Sequence, residues 1–183
     1  MAPRRQQEIF DSTLALLAEK GYDGLTVEAV AERAGVNKTT IYRWWPSKAA
    51  LLADALVEAP LLDLATPDTG SLRGDLTAVV GAIVALLTTP PASDVAVAAL
   101  AASAHRAELA SATQRFFADR LARERPIFER AARRGELAAD ADPMTIMDAL
   151  AGAVWCRAVF RERPVDDAFV DRTVAMVLRG VSG

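Results

Sequence analysis

The stretch Thr26-Val-Glu-Ala-Val-Ala-Glu-Arg-Ala-Gly-Val-Asn-Lys-Thr-Thr-Ile-Tyr-Arg-Trp-Trp45 decides how this chain folds. It reads as two short helices joined by a tight turn. Ala31 supplies the small residue needed where two helices cross. Gly35 offers the positive φ of the turn, and Ile41 the apolar side chain that locks the second helix onto the first. Thr26 is placed to N-cap a helix over residues 27–34, and Asn37 to cap the next, which reaches Trp45. Alanine and glycine at this spacing would also suit a generic helical hairpin, so the spacing alone leaves both readings open.

The second of these helices separates them. At about 100° per residue, Ile41 and Trp45 fall within about 40° of each other and define a buried face. Arg43 lies opposite, with Thr39 and Thr40 beside it. Two hydroxyls and a guanidinium on one exposed face suit base edges in a DNA major groove, where arginine can bind the O6 and N7 of guanine bidentately. Lys38 and Tyr42 occupy one shoulder of that face and Trp44 the other, where phosphates would lie. A merely solvated face seldom carries two aromatics in one turn.

Charge points the same way once its distribution is considered. The 183 residues carry 21 Lys+Arg and 24 Asp+Glu, a formal net charge of −3. Between residues 33 and 53, however, Arg33, Lys38, Arg43 and Lys48 stand with no acid among them. A short basic strip on an acidic chain fits a protein that touches DNA with one small surface. With 52% hydrophobic and 25% charged residues the composition is that of a soluble globular protein. The longest nearly apolar run, residues 76–87, falls well short of the ~20 needed to span a bilayer. No membrane partner is expected, no secretory leader is visible, and the location expected is the cytoplasm. One cysteine, Cys156, and one histidine, His105, exclude a disulfide scaffold and a zinc finger; neither a metal nor a cofactor is expected.

Outward from this stretch, apolar residues recur at three- and four-residue spacing and no run alternates with period two, so the expected fold is all-α with about nine helices. The first covers residues 4–20, with Gly21 expected to end it as a left-handed cap. A fourth is expected over residues 48–62, a fifth after Ser71 to residue 89, a sixth over residues 94–105. The seventh spans residues 107–134, with a kink or break expected at Pro126. Asp142 followed by Pro143 starts an eighth to Phe160, and Asp166 caps a ninth to about Leu178. Residues 1–58 would form a three-helix helix-turn-helix DNA-binding domain, and residues 59–183 a larger helical domain for ligand binding and dimerisation.

Residues 35–52, Gly-Val-Asn-Lys-Thr-Thr-Ile-Tyr-Arg-Trp-Trp-Pro-Ser-Lys-Ala-Ala-Leu-Leu, resemble the recognition-helix signature of the TetR family of bacterial repressors. The likeness extends back through Gly21, Tyr22 and Thr26 to cover about residues 4–58. It implies that Tyr42 and Lys48 contact phosphate, that Thr26 is a further backbone contact, and that Trp45 is core. The position before Trp45 is often Tyr or His in that family; here Trp44 offers an indole N–H instead. The resemblance further implies a repressor that dimerises through its last two helices and leaves a double-stranded DNA operator when a small-molecule effector binds. Leu150, Gly152 and Ala153 with Phe169, Val170, Val174 and Val177 are the candidate homodimer stripe. His105, Phe116, Phe117, Met147, Trp155 and Phe160 are candidates to line an effector pocket. Arg120, Arg123, Glu124 and Arg125 read as a solvated face.

An enzyme on a helical bundle would need a nucleophile with its base, paired inward carboxylates or a metal box, and none is visible. A helical dimeric protein-interaction module without ligand response is the other alternative, and it leaves the acid-free strip unexplained.

Overall fold

A computed structural model describes residues 5–103, 106–138 and 140–181. Nine α-helices and no strand are found among them: α1 (Gln6–Gly24), α2 (Val27–Ala34), α3 (Lys38–Trp44), α4 (Lys48–Val57), α5 (Leu72–Thr88), α6 (Ala92–Ser103), α7 (Ala107–Arg133), α8 (Pro143–Trp155) and α9 (Asp167–Val181). No single helix among the described residues is long and apolar enough to cross a membrane. The chain divides into two compact units, residues 1–63 with 90–119, and residues 64–89 with 120–183.

In the first unit α1 is the central post, packed against α2, α4 and α6. Its faces bury Ile9, Phe10, Leu14, Leu16 and Leu17, and Val30 of α2, Ile41 of α3 and Leu51 and Leu52 of α4 are buried in the same unit, all at most 4% exposed. The helix does not stop at Gly21 in the expected left-handed cap. Gly21 has φ 65° and ψ 178°, and helical turns resume to Gly24. That combination belongs to glycine, because a Cβ would clash with the backbone there. α4 also departs from expectation, ending at Val57. Pro60 then opens a single 3-10 turn, Pro60–Leu62, in place of further α-helix.

In the second unit α5 packs against α8 and α9, which also meet each other. Leu76, Val79 and Val80 of α5, Ile127 and Ala131 of α7, Leu150 and Val154 of α8 and Val174 of α9 are all fully buried. Helix starts follow the side-chain caps: Ser71 accepts from the Gly74 amide at 3.1 Å, Asp142 from Met144 and Thr145 at 3.1 Å each, and Asp166 from Phe169 at 2.8 Å. α7 runs through Pro126 without a break. Proline removes one N–H, which leaves the carbonyl of Ala122 without its donor; both residues are exposed, so water can serve that carbonyl. α8 gives way after Trp155 to a wider turn of π-helix, Cys156–Phe160, rather than continuing as α-helix.

The linker before α5 is strapped down by one buried acid. Asp75, fully buried, accepts from the Thr69 amide at 2.6 Å and the Thr69 hydroxyl at 2.8 Å. Its other oxygen faces Arg130 at 3.5 Å and Arg134 at 3.9 Å. Arg130 also donates to the Pro67 carbonyl and pairs with Asp68. Burial pushes the Asp75 carboxyl up, but the two Thr69 bonds and the Arg130 charge outweigh it and hold the group below the usual carboxylate range.

The face of α7 expected to be solvated is not so. Arg120 and Glu124 are each 8% exposed, aligned with Ile127, Phe128 and Ala131, while Arg123 and Arg125 face solvent. Burial raises the Glu124 carboxyl to about 7, with the Arg120 charge only partly opposing it. The four-residue spacing from Arg120 to Glu124 to Phe128 carries this signal, which their charge obscured.

Candidate nucleic-acid interface

The geometry between Thr26 and Trp45 is assembled by local hydrogen bonds. Thr26 caps α2 by accepting from the Ala29 amide at 3.2 Å, which leaves its own O–H able to donate to a phosphate. Ala31 is buried at the crossing, and α2 ends at Gly35 in the left-handed region, φ 63° and ψ 39°. Val36 donates to the Ala31 carbonyl at 2.9 Å and Gly35 to Glu32 at 3.2 Å, the paired bonds of a Schellman motif. From outside the motif, Arg5 fastens the turn by donating to the Gly35 carbonyl at 2.9 Å.

Asn37 starts α3, its side-chain oxygen accepting from both the amide (2.9 Å) and the hydroxyl (2.8 Å) of Thr39. The Thr39 oxygen therefore faces outward as an acceptor. Two anchors fix the rotation of α3. Ile41 is fully buried; Trp45 is buried edge-on against Phe10, with ring centroids 5.4 Å apart, and donates its indole N–H to Asp54 at 3.0 Å. Thr39, Tyr42, Arg43 and Trp44 are consequently exposed, Tyr42 at 46% and Trp44 at 44%, with Thr40 half-buried beside them.

The acid-free strip of sequence is not acid-free in space. Arg33 binds Glu19 through two bonds of 2.7 Å each, which raises the arginine pKa and lowers that of the acid. Lys38 lies 3.4 Å from Glu28. Lys48 donates to the carbonyls of Tyr22 (2.9 Å) and Leu25 (3.2 Å) and sits 4.2 Å from the centroid of the Tyr22 ring, so one of its three N–H bonds remains for a phosphate. Arg43 alone of the four has neither an acid nor a carbonyl partner among the described residues. Glu19 and Glu28 come from neighbouring helices outside the strip of residues 33–53, so the strip's own composition could not reveal them.

The other candidate residues belong to different units. Phe116 and Phe117 touch edge to face, centroids 5.5 Å apart, in the first unit; Met147, Trp155 and Phe160 belong to the second. Met147 is core, whereas Phe117 is half-exposed and Phe160 largely exposed. His105 lies outside the described residues. Of the candidate dimer stripe, Leu150, Val170 and Val174 are buried within their own unit, because α8 and α9 pack on α5. Their side chains therefore serve the core of their own unit. Gly152 is exposed, and Ala153, Phe169 and Val177 are half-buried. The outward faces of α8 and α9 carry Met144 and Met176, exposed large apolar side chains that were not among the candidate residues.

Residues 9–55 match the family model described as bacterial regulatory proteins, tetR family, and residues 66–177 match the tetracyclin repressor-like C-terminal domain. The chain is 30% identical over 173 residues to the HTH-type transcriptional regulator YdeS of Bacillus subtilis, covering 94% of this chain and 87% of the relative. It is 34% identical over 180 residues to the DNA-binding transcriptional repressor TetR of Mycobacteroides abscessus, covering 95% and 92%. Among solved structures, TetR family transcription regulator SCO0332 superposes with a TM-score of 0.79 at 36% identity, over 99% of this chain and 100% of that one.

Proposed function

The chain belongs to the TetR family of bacterial regulatory proteins, and from that premise we propose a homodimeric repressor that leaves a near-palindromic operator when a small, largely apolar molecule binds within residues 59–183. It is a DNA-binding helix-turn-helix transcriptional regulator, as are the relatives it matches, none of which is described as an enzyme. DNA binding is assigned to residues 1–58. A regulator of transcription works beside the chromosome, so its place is the bacterial cytoplasm.

One observation carries the reading: α3 is held by Ile41 and Trp45 so that Thr39, Tyr42, Arg43 and Trp44 all face outward. Arg43, uncommitted to any acid, would read guanine; Thr39 and Thr40 would read donors on neighbouring bases. Tyr42, Trp44, Lys38, Thr26 and the third donor of Lys48 would position the phosphates. Selection of bound duplexes from a random pool tests this. A near-palindrome whose half-sites change preference in Arg43→Ala is the expected result, and an asymmetric site bound at full affinity by a monomer would defeat it.

The effector can act only by preferring a conformation in which the paired α3 helices no longer match the operator. A coupling of about 1–3 kcal/mol would weaken operator binding roughly 5- to 150-fold, and bound operator must weaken effector binding by the same factor. Titrating a library of apolar compounds by tryptophan fluorescence, with and without operator, checks that reciprocity. Equal affinities in both titrations for every hit would leave residues 59–183 as a scaffold without signalling.

A further inference from the structure

Arg106, at the junction of α6 and α7, holds the base of the DNA-reading motif although it lies 58 residues beyond Lys48 in the chain. Its guanidinium binds both carboxylate oxygens of Asp23, at 2.7 and 2.8 Å, and donates to the Ala102 carbonyl at 3.3 Å. Its central carbon is also 4.9 Å from the centroid of the Tyr22 ring, the ring that carries Lys48 at 4.2 Å. Tyr22 is buried and sits directly after the glycine-only break at Gly21. Tyr22 and Leu25 also present the carbonyls to which Lys48 donates, and Leu25 immediately precedes Thr26, the cap of α2.

These contacts form one bracket. Lys48 begins α4, three residues after the anchor Trp45, so the bracket fixes the chain on both sides of α2 and α3. Arg106 supplies the closing side: its guanidinium lies over the tyrosine ring, one terminal nitrogen bonded to both oxygens of Asp23 and the other to the Ala102 carbonyl. A cation over an aromatic ring contributes about 0.5–2 kcal/mol according to its desolvation. Arg106 is 26% exposed in its side chain, between those limits.

We propose that Arg106 is a positioning residue for DNA binding, acting through Tyr22 on Lys48 and Thr26 without itself touching the operator. The proposal rests on the reading that α3 and its flanks meet DNA. A change at the α6–α7 junction would reach the interface through this bracket, since the only side-chain bonds of Arg106 among the described residues go to Asp23 and the Ala102 carbonyl.

The test is operator affinity of the full-length protein by fluorescence anisotropy over a series of potassium chloride concentrations. Arg106→Met keeps the apolar stem and removes the charge. It is expected to weaken operator binding about 2- to 30-fold, the range of the cation–aromatic contribution. The slope of log affinity against log salt should stay at its wild-type value, because no phosphate contact is lost. Arg106→Lys should recover part of the affinity. In a double-variant cycle with Lys48→Met, the two effects should fall short of additive, as expected when both act through one ring. Asp23→Asn, on a carboxylate that is 86% exposed and carries no part of the core, should give a smaller loss in the same direction and keeps the test valid if Arg106→Met folds poorly. Wild-type affinity in both Arg106→Met and Asp23→Asn, additive effects in the cycle, or a slope flattened by ~1 would overturn the proposal. Arg43→Ala in the same assay isolates the underlying reading: if it alone retains full affinity and selectivity, the assignment of α3 has failed rather than the bracket.

Discussion

Arg43 and Glu124 are the two residues whose surroundings make the sharpest demands. Arg43 faces outward with no acid or carbonyl partner among the described residues, so Arg43→Ala should leave the thermal midpoint unchanged, cost roughly 1–3 kcal/mol on the selected operator and relax preference at one base pair per half-site. Lys48→Ala should differ: it removes two bonds to the Tyr22 and Leu25 carbonyls, so the midpoint should fall as well as the affinity for every duplex. Melting curves beside binding isotherms separate the two. Glu124, raised from 4.5 to about 7, binds a proton in the folded state that the unfolded chain has already released across that window. Its contribution is therefore full below about pH 4.5 and is lost as pH rises through 7, up to roughly 3 kcal/mol. Glu124→Gln should flatten this part of the stability profile and stabilise the protein at pH 8, as urea melts at stepped pH would show. A wild-type profile unaltered by the substitution would mean that the carboxyl is hydrated after all. Charge misplaced this residue on a solvated face, and its register with Ile127, Phe128 and Ala131 is the signal that could have marked it as buried.

Among the elements, the helix starts were legible because a cap is a local device. Thr26, Asn37, Ser71, Asp142 and Asp166 each accept from an amide two or three residues on, so the signal and its partner share one short window. Helix ends depended on less local facts. α4 stops before Pro60, α8 widens into a π turn after Trp155, and α7 continues through Pro126 because its orphaned carbonyl lies on the wet side. Asn37→Ala should cost about 1 kcal/mol of stability, since two bonds from Thr39 lose their acceptor, and it should weaken DNA binding by loosening the first turn of α3. The strap on α5 behaves differently. Asp75→Ala leaves Arg130 without its buried counter-charge and should cost about 3 kcal/mol or more in chemical denaturation. Because the folded Asp75 titrates below 3.8, its stabilisation is complete above that value and is lost as pH falls through the depressed pKa. Asp75→Asn should therefore blunt the acid end of the profile and leave neutral pH dependence alone.

For the whole molecule, the sequence carried the fold class and the exposed face of α3, since both rest on helical periodicity. It carried less about assembly, because apolar positions on α8 and α9 look alike whether they serve the chain's own core or a second copy. Leu150, Val170 and Val174 serve the core, and we propose that the exposed Gly152, Met144 and Met176 face a second copy. Gly152→Leu tests this cleanly, since beyond its own turn of helix a Cβ there meets no heavy atom of the described residues within 4 Å. The variant should fold with a wild-type midpoint at low concentration and sediment as a monomer at micromolar concentration; an unaltered dimer would move the interface elsewhere. The last consequence comes from the two anchors of α3. Ile41 and Trp45 secure the helix from inside, while positions 39, 43 and 44 carry no structural duty beyond the Thr39 bonds to Asn37. A duplicated gene could therefore diverge at these few codons and acquire a new promoter within a handful of mutations, each copy folding as its ancestor did. Descendants would soon ignore one another's targets, so a single genome could accommodate many such regulators side by side.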